Sequence, residues 1–219
     1  MIAAVIAMES EAEILLHNAR IAAQKTICGK KTYEGEAYGK QFVLIVCGVG
    51  KVNAAIGATI ALTLYSPEAI LNFGVAGGLN EKTSLCAVYA IDKAVQFDFD
   101  LTQLNGGQIG TLDEYTENYL SFATHPLSLE KRALGSSDRF NDSRADYELL
   151  TKTLKADIRD MEGAAILQAA KSAGVKAFSV KAISDVAGSG STTKQFLKNK
   201  AAALENLEKA LPGIFAAID

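Results

Sequence analysis

Cysteine and histidine are scarce in this chain of 219 residues, which has three of the first and two of the second. Cys28, Cys47 and Cys86 show no C-x-x-C spacing, and His17 and His125 stand far apart, so the usual ligand set for zinc is missing. Positive charge is also lacking. A net charge of −3 and a pI near 5.5 leave no electrostatic footprint for nucleic acid. No uninterrupted apolar stretch approaches the length of a membrane span. The chain opens on a strand-like run with no basic region or cleavage signal, so a cytoplasmic protein with reduced thiols is expected. No linker, repeat or low-complexity block interrupts it, and one domain over residues 1–219 is expected.

What is present is an alternation of strand-like and helix-like segments. Residues 1–7 form a short apolar run ended by a polar switch, and residues 9–20 carry Ala12, Leu15, Leu16 and Ala19 at helical spacing. Strands are expected at 26–32, 35–38, 41–47, 69–73, 85–91, 93–97, 132–136 and 176–183, and helices at 51–65, 143–154, 161–173 and 192–218. Ser143 is a candidate N-cap and Gly174 a candidate C′ glycine. The polar, Gly-containing stretch 98–115 reads as a loop over a site or a partner subunit. Strands alternating with helices, plus a few antiparallel pieces, indicate a mixed-sheet α/β domain.

Three distant segments place acids where a strand or loop meets a helix: Ala7-Met8-Glu9-Ser10-Glu11, Asp160-Met161-Glu162-Gly163 and Ile183-Ser184-Asp185-Val186. Ligand crevices of α/β sheets open at the carboxyl ends of strands. Each acid alone has a structural explanation. Glu9, Glu11, Asp160 and Glu162 suit the positive end of a helix, and Asp185 suits a turn or an N-cap. Gly48-Val49-Gly50-Lys51 follows a strand and opens a helix, an arrangement that can present N–H groups to an anion. It has neither the P-loop spacing nor the full dinucleotide fingerprint. Gly74-Val75-Ala76-Gly77-Gly78 would let a ligand approach the backbone closely, or serve only as a turn or bulge.

Taken in order, these segments resemble the nucleoside phosphorylase/nucleosidase superfamily, and most of all its bacterial 5′-methylthioadenosine/S-adenosylhomocysteine nucleosidases. The resemblance runs from Met1 to the last helix. It implies a three-layer α/β/α sandwich with a central mixed β-sheet, a homodimer, and no metal or organic cofactor. The implied reaction is hydrolysis of the N-glycosidic bond of an adenine nucleoside, releasing adenine and a 5-thio-ribose. Cleavage of that bond passes through an oxocarbenium-like sugar. On this resemblance Asp185, assisted by Ser184, protonates adenine N7, and Glu11 deprotonates water. Glu162 binds ribose hydroxyls, Met161 packs under the ribose and Phe140 stacks on the base. Met8, Val49, Ala76, Gly77 and Lys181 complete the substrate contacts. Phe140 read without the resemblance is an ordinary core aromatic.

The chain departs from the pattern at four places. Lys181 stands where relatives have arginine, keeping the charge but losing the fork. Val75 replaces a Ser or Thr, and Asp160 replaces a Glu. At the rim, the aromatic that lids the 5′ group is missing, with Thr192 and Thr193 nearby. A purine nucleoside phosphorylase is the second reading, but phosphate needs cationic and hydroxyl donors, and Asn72 and Val75 offer neither charge nor hydroxyl. A hydrolase of a related nucleoside such as futalosine, and a binding domain without turnover, are the remaining alternatives.

Overall fold

A computed structural model describes residues 1–124 and 128–218, so His125 lies outside the described residues. In chain order the elements are β1 (Ile2–Ile6), α1 (Glu9–Leu16), β2 (Ala19–Ile27), β3 (Lys30–Ala37), β4 (Lys40–Val46), α2 (Lys51–Tyr65), β5 (Ala69–Gly78) and β6 (Val88–Gln96). There follow α3 (Thr102–Asn105), β7 (Leu120–Ser121), β8 (Lys131–Ser136), α4 (Arg144–Glu148), β9 (Ile158–Asp160), α5 (Gly163–Ser172), β10 (Lys176–Val186) and α6 (Thr192–Ala217).

All ten strands belong to one mixed sheet. β1 runs parallel to β4 on one side and to β5 on the other. Being covered on both faces, it is apolar at every position, as buried parallel strands are. Its side chains alternate between two cores. Ala3 and Val5 pack with Ala54, Ala58 and Ala61 of α2 and with α5. Ile2, Ala4 and Ile6 pack with α1 and with Leu207, Leu211 and Phe215 of α6. Helices therefore lie on both faces, giving the expected three layers.

The sheet also curls. β10 pairs with β5 along its length and with β6 by its other edge, while β9 joins β8 to the last two residues of β5. This closure brings the ends of β5, β9 and β10 beside those of β1.

Several boundaries differ from the sequence reading. α1 ends at Leu16, and residues 19–20 belong to β2. Gly74–Gly78 is not a loop but the second half of β5. The pieces expected at 85–91 and 93–97 are one strand, β6, kinked by a register shift between Ile91 and Lys93. The helix expected over 143–154 is α4 followed by a wider π-helical turn, Leu149–Leu154; Ser143 does cap it, accepting from Asp146 N at 3.3 Å. Stretch 98–115 holds the single turn α3 and is otherwise irregular.

Candidate active site

The first acid is held by main chain. Glu11 lies in the first turn of α1, where its carboxylate accepts from Met8 N at 3.1 Å, the reaching-back bond of a capping box. Its other oxygen accepts from Val75 N of β5 at 2.8 Å. A Cβ at Gly74 would stand 2.4 Å from Glu11 Oε1, so glycine is required there. Burial pushes the Glu11 carboxyl above its ordinary range, opposed by the charge of Lys181 and the two N–H bonds. Glu9 points elsewhere and pairs with Lys31 on the surface.

Two further acids flank the start of α5. Asp160 ends β9 and accepts from Gly163 N at 2.9 Å and from the Ser136 hydroxyl, tying down that helix terminus. Lys181 Nζ lies 3.0 Å from its Oδ2, with both side chains almost wholly buried. Glu162 Oε1 accepts from Gly50 N at 2.9 Å, and Asp138 Oδ1 accepts from Lys51 N at 2.7 Å. The anion at the N-terminus of α2 is thus supplied by the chain itself. Burial and the neighbouring Asp160 push the Glu162 carboxyl up to about 8, against the pull of Lys181.

The last acid sits on an irregular strand. The register of β10 against β5 shifts between Ile183 and Asp185. Adjacent residues of a regular strand face opposite ways; the bulge turns both Ser184 and Asp185 toward one cavity. Ser184 Oγ donates to Asp185 Oδ2 at 2.9 Å. Asp185 Oδ1 is buried and, among the described residues, is the side-chain oxygen left without a hydrogen-bond partner. Arg159 Nη2 stands 3.9 Å from it, an ion-pair distance rather than a bond. Burial raises the Asp185 carboxyl above its usual range, with the Ser184 bond and Arg159 pulling the other way.

Glu11 and Asp185 line a single cavity of about 420 Å³. Met8, Val49, Ala76, Gly77, Phe140, Met161, Glu162 and Ser184 line it too. Lys181 does not. It lies behind the wall, and its charge is spent on Asp160 and felt by Glu11 and Glu162. Phe140 is no core aromatic: it is 50% exposed, with its ring edge-on to Phe196 at 5.7 Å. Five wall residues escaped the sequence reading: Phe97, Arg139, Arg159, Phe196 and Leu197. Only Phe196 and Leu197 left a signal, since with Thr193 they share one face of α6 at i, i+3, i+4 spacing. The rim therefore does carry an aromatic, one turn beyond Thr193. Among the described residues no cluster suited to a metal ion occurs.

The family model described as the phosphorylase superfamily matches residues 1–216. The chain belongs to that superfamily. Within it, the chain is 32% identical over 201 residues to a 5′-methylthioadenosine/S-adenosylhomocysteine nucleosidase of Listeria welshimeri, covering 85% of this chain and 86% of the relative. A protein of the same description from Halalkalibacterium halodurans is 30% identical over 222 residues, covering 94% and 95%. The superfamily fold is repeated in the Colwellia psychrerythraea nucleosidase solved with adenine, at TM-score 0.90 and 23% identity over 100% of this chain and 96% of that one. A futalosine hydrolase of Helicobacter pylori superposes at TM-score 0.89 and 20% identity, covering 98% and 97%.

Proposed function

We propose that this chain hydrolyses the N-glycosidic bond of purine nucleosides with a 5′-thio substituent, methylthioadenosine and adenosylhomocysteine being the reference substrates. The observation that carries the reading is the pair of buried acids in one cavity, one anchored by two N–H groups and one with a free oxygen. Asp185, whose carboxyl burial raises above its usual range, gives its proton from Oδ1 to the base, with Ser184 holding the other oxygen. Glu11 takes a proton from water. Cationic charge developing on the sugar favours the ionised form of Glu162 at the ribose. Phe196, Leu197 and Met8 offer an apolar wall suited to a thioether.

Hydrolysis is favoured over phosphorolysis by what surrounds Glu11. Val75 contributes its N–H there and no hydroxyl. Asn72 is turned away, donating to Val5 O and accepting from Ser179 Oγ. Lys181 is already paired. The test is base release from methylthioadenosine, adenosylhomocysteine and adenosine, each with and without phosphate. Release independent of phosphate is expected; a strict phosphate requirement would replace the nucleosidase with a phosphorylase.

Asp185→Asn should lower kcat by about a hundredfold, because an amide can still donate a hydrogen bond to the base but cannot transfer the proton. An undiminished kcat would remove Asp185 from the acid role. The pH profile of kcat/KM should be bell-shaped. It falls on the acid side as Glu11 takes up a proton and on the alkaline side as Asp185 loses one, and both limbs lie above the ordinary carboxyl ranges because burial raises both groups. Limbs that both fall within the ordinary carboxyl ranges would contradict these assignments.

A homodimer also belongs to this reading. Val49 of the cavity wall and Val52 and Ile56 of α2 form a run of exposed apolar side chains at the site's edge. Sedimentation should give twice the chain mass. Three unpaired cysteines suit the cytoplasm.

A further inference from the structure

Phe140 lines the cavity without being held by it. The ring is half exposed and meets Phe196 only edge-on. Residues 137–143 form neither helix nor strand, so no ladder of main-chain bonds fixes them. A ring this open to solvent keeps its place only if the backbone that carries it is tied down.

The tie comes from the start of α2. Asp138 Oδ1 accepts from Lys51 N at 2.7 Å. Asp138 N donates to Asp98 Oδ2 at 3.0 Å, and Asp98 Oδ1 accepts from Lys51 Nζ at 2.5 Å. Three residues far apart in the chain thus close a ring. Lys51 grips Asp138 directly with its main chain, and through Asp98 with its side chain. The Lys51 and Asp98 side chains are only 15% and 17% exposed, which sets this pair apart from the solvated pairs of the surface.

The surroundings stiffen the ring. Lys51 Nζ also donates to Gln96 Oε1 at 3.2 Å, and Gln96 Nε2 donates to Gln168 Oε1 of α5 at 2.8 Å. Between Gln96 and Asp98, the Phe97 ring lies 5.5 Å from the Arg139 guanidinium. On the other side of Phe140, Asn141 O accepts from Arg159 Nη1 at 2.8 Å. The backbone is therefore pinned both before and after Phe140. Only the first pin depends on a buried charge.

Resting on the stacking role of Phe140 in the nucleosidase reading, we propose that Lys51 is a positioning residue for the base. Through Asp98 and Asp138 its ammonium holds the segment that presents Phe140. The acids of the reaction lie outside this ring, although Gly50, the residue before Lys51, donates to Glu162. Loss of the ammonium should therefore weaken binding of the base and spare the chemical step.

Calorimetric titration with adenine reads base binding alone, and release of adenine from methylthioadenosine reads KM and kcat. Lys51→Met is expected to weaken adenine binding and raise KM by about tenfold, the cost of ordering one such side chain on binding, with kcat little changed. Asp98→Asn should act in the same direction, and it reads the same ring if Lys51→Met folds poorly. In a Phe140→Ala background, Lys51→Met should add nothing further, because both changes act through one ring. Losses that add in the double variant overturn the inference, as does adenine binding that Phe140→Ala or Lys51→Met leaves unchanged. A fall in kcat with KM kept also overturns it, and would route the effect through Gly50 and Glu162. Adenine binding weakened as expected, with no cleavage of methylthioadenosine by wild type, would instead overturn the nucleosidase reading and leave the positioning role in place.

Discussion

Glu11→Gln is expected to reduce hydrolysis by about a thousandfold, in the middle of the range for loss of a general base. The effect should exceed that of Asp185→Asn because the amide leaves nothing able to accept the proton from water at that end of the cavity. Glutamine also fits the existing bonds poorly. Glu11 accepts from both Met8 N and Val75 N, and an amide can accept from only one of them. The other N–H then faces an NH₂ group, at a cost of about 1–3 kcal/mol, partly offset by removal of a buried charge. The measurement is single-turnover hydrolysis with calorimetric nucleoside binding on the same preparation. Binding kept and turnover lost supports the base role. Turnover kept would assign Glu11 to the capping of α1 alone.

The second large effect is on stability. Lys181→Met removes the one fully buried cation among the described residues and leaves Glu11, Asp160 and Glu162 without their shared counter-charge. Breaking a buried pair by removing one partner costs about 3–5 kcal/mol. The loss should depend on pH with a definite sign. Without the lysine, the Glu11 and Glu162 carboxyls, already raised in the folded state, rise further above their unfolded values. Stability is then retained in acid, where these groups are protonated, and lost as pH rises through the raised folded values. Urea unfolding at about pH 5 and about pH 8 should therefore show a larger deficit at the higher pH. Equal deficits at both would mean that Lys181 contributes packing and not charge. The acid limb of the rate profile should shift upward in this variant as well, since the lysine charge holds Glu11 down.

How far the sequence carried the reading depended on whether each element declares itself locally. β1 is a continuous apolar run and β4 holds one from Phe42 to Val46, and their assignment needed nothing else. β2 is the opposite case. It is Ala-, Gln- and Lys-containing and exposed along most of its length, and it exists because β3 pairs with it rather than because it is buried. Its first residues fit a helical period, which extends the helix expected over 9–20 past the observed end of α1 at Leu16. The second half of β5 carries three glycines in five residues, which signals a loop. It stays extended because β10 and β9 bond it from both sides. Glu11, Glu162 and Asp185 were legible because each adjoins a recognisable strand end or helix start. Arg159 was not, because β9 is too short for periodicity and is held by partners distant in the chain. Lys181 was placed at the substrate, but its strand position sends it behind the wall to Asp160.

The bulge in β10 has an implication for how such a chain can change. Along a strand, whether a position is odd or even decides which side of the sheet it serves, and a single extra residue swaps the two. Between Ile183 and Asp185 that parity is broken once, so neighbouring positions share one side. Removing one residue there would restore an even count and give β10 a more regular ladder with β5. The sheet would gain a bond, and Ser184 and Asp185 could no longer both face the cavity. Substitutions in this strand can be gradual, but changes in its length cannot, because the reaction depends on the number of residues as much as on their kind.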